Sequence, residues 1–121
     1  MKTQNKSNSK SKVPKEGVFP EIIRNDYQGS RKLHGKKAVI SGGDSGIGQA
    51  VAVHFAREGA DVAIIYKESD DDARETQKLV EKEGQNCLVI KGDLTRKAFR
   101  TKCADKIKTE WKNIDILVNN A

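Results

Sequence analysis

The sequence has little of what marks several common protein classes. It has only two cysteines, Cys87 and Cys103, and the fifteen residues between them do not match a metal-site spacing. Neither a disulfide framework nor a zinc site is therefore indicated. It also has no run of about 18 apolar residues, which argues against a membrane-spanning helix. Its 121 residues suffice for one domain, because a single core usually takes about 100–150 residues.

Positive charge is concentrated at one end of the chain. The formal net charge is +6, but residues 1–15 hold five lysines and no acid, so the other 106 residues have a net charge of only +1. A nucleic-acid partner normally requires a basic surface on the folded domain. We therefore expect neither a nucleic-acid nor a membrane partner for the body of this chain.

The first 20 residues are predicted to be a disordered basic tail, because they have almost nothing to bury. An electrostatic tether to nucleic acid or to an anionic surface is the alternative. The tail lacks the apolar segment of a secretory signal, which favours a cytoplasmic protein. Residues 21–35 are predicted to form an extended arm, for which the possible anchors are Ile22, Ile23, Tyr27 and Leu33.

From residue 36 onward, short β-branched runs alternate with helical patterns. Strands are predicted at residues 36–41, 62–66, 87–90 and 114–118. Helices are predicted from the end of a glycine-rich turn to Gly59, over residues 69–84, and from an N-cap at Thr95 to about Lys112. This βαβαβαβ order predicts a parallel sheet joined by right-handed crossovers, the first half of a doubly wound α/β fold.

Helical periodicity gives the predicted buried face of each helix. The first helix should bury one stripe of five residues, and the two histidines, His34 and His54, are interpreted as structural. The predicted buried residues are Ile47, Ala50, Val51, His54 and Phe55 in the first helix, Ala73, Leu79 and Val80 in the second, and Phe99, Ala104, Ile107 and Trp111 in the third.

The turn between the first strand and the first helix is the main candidate site. Gly42 would permit a tight turn, Gly46 would let backbone amides approach a diphosphate, and Gly48 would let the helix pack closely. The unsatisfied amides and positive dipole end of the helix favour an anion there. The candidate binding residues of this turn are Ser41, Gly42, Asp44, Ser45, Gly46, Ile47 and Gly48.

Two other interpretations of the turn were considered. A nucleoside-triphosphatase loop would end in Gly-Lys-Ser/Thr, but Gly46 is followed by Ile47 and Gly48, so that interpretation fails. The turn could instead be purely structural and hold no ligand.

Together these motifs resemble the short-chain dehydrogenase/reductase family. The glycine turn has three residues between its first two key glycines, Gly92-Asp93-Leu94 follows the third strand, and Asn119-Asn120-Ala121 follows the fourth. The arm ending in Tyr27-Gln28-Gly29-Ser30, followed by Leu33-His34-Gly35-Lys36, is most similar to a bacterial subgroup with an N-terminal extension. The resemblance covers about residues 22–121.

The resemblance implies a Rossmann-like domain over residues 36–121 with strand order 3-2-1-4. It also implies that Asp93 and Leu94 lie at the adenine and that Asn120 and Ala121 belong to the cofactor site. The sequence departs from the family pattern in three places. Ser41 replaces a common Thr, Trp111-Lys112-Asn113 replaces a usual glycine, and the chain ends before the glycine that completes the last motif.

The choice of nicotinamide cofactor depends on the end of the second strand. An acid there selects NAD, whereas a base favours NADP. By resemblance Tyr66 takes the discriminating position and Lys67 follows it, which favours NADP, with NAD as the alternative. Glu68 lies 20 residues beyond Gly48 and could still reach a ribose. The acidic run of residues 70–72 is interpreted as a favourable first helical turn, and no metal site is predicted.

Catalytic residues of the family are missing from these 121 residues. Family members use a Tyr with a Lys four residues later and a Ser, but here Tyr27 is followed by Arg31 and Tyr66 by Asp70. We expect this chain to be the cofactor-binding part of an NAD(P)-dependent oxidoreductase and to be inactive alone. In complete members such enzymes transfer hydride between the nicotinamide and an alcohol or carbonyl substrate.

Three further expectations follow. The 121 residues would come from a truncated or partial reading frame, the unpaired fourth strand would make the chain prone to aggregate, and complete homologues would be homo-oligomers. The alternative function is a free-standing NAD(P)-binding regulatory module or one half of a split enzyme. A receiver-like domain is less consistent with the sequence, since only Asp44 lies near the acids it would need.

Overall fold

The structure, a computed structural model, describes residues 28–120. The predicted tail, the first part of the arm with Ile22, Ile23 and Tyr27, and the candidate site residue Ala121 lie outside the described residues. The elements are β1 (Lys37–Ser41), α1 (Gly46–Arg57), β2 (Asp61–Tyr66), α2 (Asp70–Lys82), β3 (Cys87–Lys91), α3 (Lys97–Glu110) and β4 (Ile116–Asn119).

The four strands form one parallel sheet in the order β3-β2-β1-β4. Val39 lies between Ala63 of β2 and Leu117 of β4, and Ala63 pairs in turn with Leu88 of β3. The two central strands are almost wholly buried, as expected for a parallel sheet with helices on both faces. The predicted Rossmann-like fold and strand order are confirmed.

Two apolar clusters lie on opposite faces of the sheet. On one face Ile40 and Ile64 pack with the small buried residues of α1 and α2. On the other, Val39 and Ile65 pack with the buried residues of α3 and with Trp111. Side chains of adjacent strand residues alternate between the two clusters, which is the period-2 pattern of a strand.

The buried face of α1 differs from the predicted stripe. Ile47 is 74% exposed, and the other four predicted residues are only half-buried. The residues that are buried are Gly48, Ala52, Val53 and Ala56. Three of these, at positions 48, 52 and 56, are small and recur every fourth residue, so they let the helix lie close to the sheet. The larger apolar side chains are displaced to the flanks of the helix.

Helix α2 follows its prediction more closely. Ala73 and Val80 are fully buried, whereas Leu79 is half-buried. Thr76 completes the buried face, because it lies three residues after Ala73 and four before Val80. Ser69 caps the helix by accepting a hydrogen bond from the Asp72 amide at 3.3 Å.

Helix α3 departs from its prediction at both ends and on its buried face. The N-cap is Arg96, because its carbonyl accepts the first helical bond, from the Arg100 amide at 3.1 Å; the amide and hydroxyl of Thr95 donate to Asp93 at 2.9 and 2.7 Å. Cys103 is buried where Ala104 was expected, and Ala104 is exposed. Cys103 and Ile107 are four residues apart and share the face that contacts the sheet.

Strand β4 begins two residues later than predicted. Ile114 is 47% exposed, and the pairing with β1 starts at Ile116. Leu117 is 72% exposed, and β1 is the only strand within residues 28–120 that pairs with β4. None of the helices in the described part of the chain is both long and apolar enough to span a membrane.

Candidate functional site

The turn of residues 42–48, called the glycine loop below, lies at the carboxyl ends of the parallel strands. Gly42 has a φ of +70°, a left-handed conformation that glycine adopts without steric cost. Its amide donates to the Ile65 carbonyl at 2.7 Å, and its own carbonyl accepts the Ser45 hydroxyl at 3.1 Å. These bonds turn the chain sharply from β1 into α1.

The start of α1 exposes backbone amides. Ser45 occupies the N-cap but forms no side-chain cap bond, and its hydroxyl donates back to the Gly42 carbonyl. Within residues 28–120 the amides of Gly46, Ile47 and Gly48 donate to no other group. Such amides, together with the positive end of the helix dipole, attract anions.

The glycines of the loop differ in what surrounds them. A Cβ on Gly43 would lie 2.4 Å from Ile64 Cγ2, and one on Gly48 would lie 2.0 Å from the Gly42 oxygen. A Cβ on Gly46 would meet nothing within 4 Å, and Gly46 does not have a positive φ. Packing within the described residues therefore requires glycine at 43 and 48, but it gives no reason for glycine at 46.

The end of β4 lies directly beside this loop. The amide of Asn120 donates to the Ser41 hydroxyl at 3.0 Å, and its side-chain nitrogen donates to the Gly42 carbonyl at 3.2 Å. The Ser41 hydroxyl also lies 3.2 Å from the Asn119 side-chain oxygen. Ser41, Gly42 and Asn120 thus form one contact group, whereas Ala121 lies outside the described residues.

A second group of polar residues lies at the ends of β2 and β3. Tyr66 is 8% exposed, and its hydroxyl donates to Asp70 at 2.7 Å. Lys91 lies 3.1 Å from the same carboxylate. The hydrogen bond to Asp70 raises the pKa of Tyr66, and bonds from Tyr66 and Lys91 hold the pKa of Asp70 below its usual value.

Lys67 and Asp93 are brought together across the ends of these strands. The Lys67 Nζ lies 3.7 Å from an Asp93 oxygen, and the lysine side chain is 64% exposed. Hydrogen bonds from Thr95, with a smaller contribution from Lys67, lower the pKa of Asp93. Leu94 is half-buried and packs against the α3 cluster, while Asp44 is half-buried in the glycine loop.

Several residues around this site were missed by the sequence analysis. Thr76 is fully buried, and its hydroxyl lies 2.9 Å from the Gly43 carbonyl and 2.9 Å from Gln49 Nε2. The only sequence signal for Thr76 was its spacing, which places it on the same helical face as Ala73 and Val80. Asp70, the partner of Tyr66, had no such signal, because it was expected only to favour the first turn of α2.

The arrangement suits a dinucleotide better than a metal ion. Within residues 28–120 no three His, Cys, Asp or Glu side chains form a possible metal site. Open amides at a helix start suit a pyrophosphate, and the open space over Gly46 leaves room for it to approach the backbone. A separate cavity of about 260 Å³ lies between β3 and α3, and none of the predicted site residues lines it. Its lining residues are Val89, Ile90, Lys91, Phe99, Lys102, Cys103 and Lys106.

Comparison with known proteins identifies the family. Residues 36–121 match the sequence profile of the family described as short chain dehydrogenase. The chain belongs to the short-chain dehydrogenase family. This confirms the resemblance drawn from the glycine loop and the two later motifs, and it agrees with the strand order of the sheet.

Two relatives illustrate how much of a short-chain dehydrogenase this chain spans. It is 54% identical over 96 residues to General stress protein 39 of Bacillus subtilis, a match that covers 79% of the chain and 34% of the relative. It is 39% identical over 108 residues to NADPH-dependent aldehyde reductase 1, chloroplastic, of Arabidopsis thaliana, covering 84% and 38%. The chain thus spans little more than a third of these relatives.

A solved structure is similar over the same region. Carveol dehydrogenase from Mycobacterium avium, determined in complex with NAD, superposes with a TM-score of 0.70 and 28% identity. The match covers 74% of this short-chain dehydrogenase chain and 36% of the solved one.

Proposed function

We propose that this chain forms the cofactor-binding part of an NAD(P)-dependent short-chain oxidoreductase. The observation that carries the proposal is the open space over Gly46, where a Cβ would meet no atom within 4 Å. A glycine that neither φ nor packing requires is accounted for by a ligand that must approach the backbone closely. The pyrophosphate of a nicotinamide dinucleotide fits this position.

The residues around the glycine loop are arranged to hold the other parts of the dinucleotide. The amides of Gly46, Ile47 and Gly48 would donate to the pyrophosphate oxygens. Tyr66 and Lys67 lie at the end of β2, where the adenosine ribose would be held, and Asp93 follows β3. In this proposal Asp93 and Leu94 flank the adenine, and Asn120 and Ala121 line the path toward the nicotinamide.

We further propose that NADP is the preferred dinucleotide. The residue at the end of β2 is Tyr66 and not an acid that would select NAD, and its hydroxyl donates to Asp70. The Lys67 ammonium is mostly exposed, so it can turn toward a 2′-phosphate and form a charge-assisted contact. The NADPH-dependent relative in Arabidopsis thaliana is consistent with this preference, whereas the NAD complex of carveol dehydrogenase keeps NAD as the alternative.

The reaction of the whole protein is proposed as hydride transfer between the nicotinamide and an alcohol or carbonyl group. The bound cofactor supplies the hydride or accepts it, while this chain binds and orients the dinucleotide. In the 121 residues neither tyrosine is followed four residues later by lysine. We therefore expect no turnover from this chain alone.

The test is a calorimetric titration of the chain with NADPH and NADH, compared between the wild type and Gly46→Ala. The new methyl group has no protein neighbour, and alanine stabilises a helix relative to glycine by about 0.5–1 kcal/mol. It would, however, crowd the pyrophosphate at a cost of about 1–3 kcal/mol. We expect unfolding temperature to stay equal or rise and both dinucleotides to bind roughly 10–100-fold more weakly.

Gly84→Ala provides the matched control. Gly84 also has no neighbour within 4 Å, but its φ is +88°, so alanine there is strained by about 1–2 kcal/mol. This variant should lower the unfolding temperature and leave both affinities unchanged. Absence of dinucleotide binding by the wild type, or an unchanged affinity in Gly46→Ala, would contradict the proposed function.

A further inference from the structure

Thr76 is a buried polar residue outside the motifs assigned to the cofactor. It is fully buried in α2, although the rest of that helix's buried face is apolar. A buried hydroxyl is costly unless it is hydrogen-bonded. Thr76 meets this requirement through a contact with the glycine loop, 33 residues earlier in the chain.

The hydrogen bonds of this contact can be assigned by counting donors and acceptors. The Thr76 oxygen lies 2.9 Å from the Gly43 carbonyl and 3.1 Å from the Asp72 carbonyl, but a hydroxyl donates only one hydrogen. In the regular helix the Asp72 carbonyl already faces the Thr76 amide. Within residues 28–120 the Gly43 carbonyl accepts a hydrogen bond from no other donor. The hydroxyl therefore donates to Gly43.

Gln49 completes the assignment. Its Nε2 lies 2.9 Å from the Thr76 oxygen, and it donates, because the single hydroxyl hydrogen of Thr76 is used by Gly43. The result is a directed chain from α1 through α2 to the loop. Hydrogen bonds that form such chains in a buried environment strengthen one another.

The bond to Gly43 also orients the next amide. The Gly43 carbonyl and the Asp44 N–H belong to one planar peptide unit, in which they point in opposite directions. Because the carbonyl is held against Thr76, the Asp44 amide points away from α2. It donates to no group in the described part of the chain, so it joins the open amides of the loop.

We propose that Thr76 is a positioning residue that fixes the glycine loop for the pyrophosphate and couples it to the ribose end of the site. Helix α2 provides the link, since its first residue, Asp70, holds Tyr66. Asp70 and Thr76 are six residues apart, about 9 Å along a helix. One rigid element thus positions the groups that would hold the pyrophosphate and the adenosine ribose. The inference rests on the proposed function.

The test compares the wild type with Thr76→Val and Thr76→Ser. Valine keeps the shape but removes the hydroxyl, which leaves the Gly43 carbonyl and Gln49 Nε2 without their partner. We expect Thr76→Val to bind NADPH and ADP about tenfold more weakly, which corresponds to about 1.4 kcal/mol. Serine restores the hydroxyl and should bring both affinities back to within about twofold.

A fragment without a pyrophosphate separates positioning from general loosening of the fold. Adenosine 2′-monophosphate should bind Thr76→Val and the wild type equally well in competition titrations, because it contacts only the ribose end. Thr109→Val is the control, since the Thr109 hydroxyl also donates to a backbone carbonyl, that of Asp105 at 2.9 Å, but lies on α3 away from the loop. It should bind every ligand as the wild type does.

The outcomes are distinguishable. A wild type that binds no dinucleotide refutes the proposed function and with it this inference. If the wild type binds and Thr76→Val has the same affinities, the inference alone is refuted. The same holds if Thr76→Val weakens NADPH, ADP and adenosine 2′-monophosphate equally. Should Thr76→Val not fold, Gln49→Met removes only the donor to Thr76. It should then weaken NADPH about threefold and spare adenosine 2′-monophosphate, and an unchanged NADPH affinity would refute the inference.

Discussion

The two edges of the sheet differ in how completely the protein pairs its own polar groups. At the amino edge, where the strands begin, Asp61 accepts hydrogen bonds from Lys37 at 2.5 Å, the Asn86 amide at 3.0 Å and Gln85 at 3.1 Å. Asp115 accepts the Lys37 amide at 2.9 Å. Each carboxylate here is satisfied by the protein itself.

The carboxyl edge, where the strands end, is built differently. Ser41 and Asn120 tie β1 to β4, and Thr76 ties α2 to the glycine loop. Between these supports, however, the amides of residues 46–48 have no partner in the described part of the chain. These open amides are the groups for which we propose dinucleotide binding, whereas the paired groups of the amino edge contribute to stability.

The largest expected effect comes from a substitution that damages the supports and the site together. In Gly48→Ala the new Cβ would lie 2.0 Å from the Gly42 oxygen and 2.8 Å from Asn120 Nδ2. A backbone atom cannot yield cheaply, so we expect a loss of about 2–4 kcal/mol in the free energy of unfolding, measured by urea denaturation, together with loss of NADPH binding.

Gly46→Ala is the comparison for this variant, because it makes the same change two residues earlier in open space. Its stability should not fall. Equal stability of the two variants would show that the close approach at Gly48 is not required by the fold.

A second substitution tests whether the carboxyl edge distinguishes between the two dinucleotides. Lys67→Ala removes an exposed ammonium that contacts only Asp93, at 3.7 Å, in residues 28–120. A charge-assisted contact with a 2′-phosphate is worth about 1.5 kcal/mol, so NADPH should bind roughly tenfold more weakly while NADH changes little. Calorimetric titrations with both dinucleotides measure the ratio.

Lys108→Ala, which removes an exposed lysine from the last turn of α3, is the control. It should leave both affinities nearly unchanged, because salt screens the effect of a distant surface charge. An equal loss for NADPH and NADH in Lys67→Ala would mean that Lys67 does not select the cofactor.

The fold could be predicted because its signals are local. The β-branched runs, the glycines at 42, 59 and 84, and the helical periods lie within short segments, and together they predict the element order and a parallel sheet, whereas the strand order was implied by the family resemblance. The buried face of α1 could not be predicted in this way. Hydrophobicity favours the stripe of Val51 and Phe55, but the close approach of the helix to the sheet selects Gly48, Ala52 and Ala56.

The candidate site likewise has a part that local sequence signals predict and a part that they do not. The glycine loop is one continuous segment, so its position after a strand was enough to predict an anion site. The bond between Thr76 and Gly43 and the ion pair between Lys67 and Asp93 join residues that are far apart in the sequence. Only the folded arrangement of the helices and strands brings such pairs together, which is why motif analysis found Lys67 and Asp93 separately and missed Thr76.

The smallest expected effect lies at the amino edge and tests its separation from binding. In Asp61→Asn the side-chain oxygen can still accept from the Asn86 amide, but the ion pair with Lys37 is lost. Both side chains are partly exposed, so we expect a loss of about 1 kcal/mol in the free energy of unfolding at neutral pH. Affinity for NADPH should be unchanged.

The pH dependence of this loss identifies its cause. Burial alone would raise the pKa of Asp61, but hydrogen bonds from Lys37 and Asn86 outweigh it and lower the pKa. A carboxyl whose folded pKa is depressed adds stability above its unfolded value of about 3.9, and that stability is lost as the pH falls through the folded pKa. The wild type and Asp61→Asn should therefore differ at pH 7, and the difference should shrink as the pH falls below that unfolded value. A constant difference, or weaker NADPH binding at pH 7, would mean that Asp61 acts beyond the amino edge.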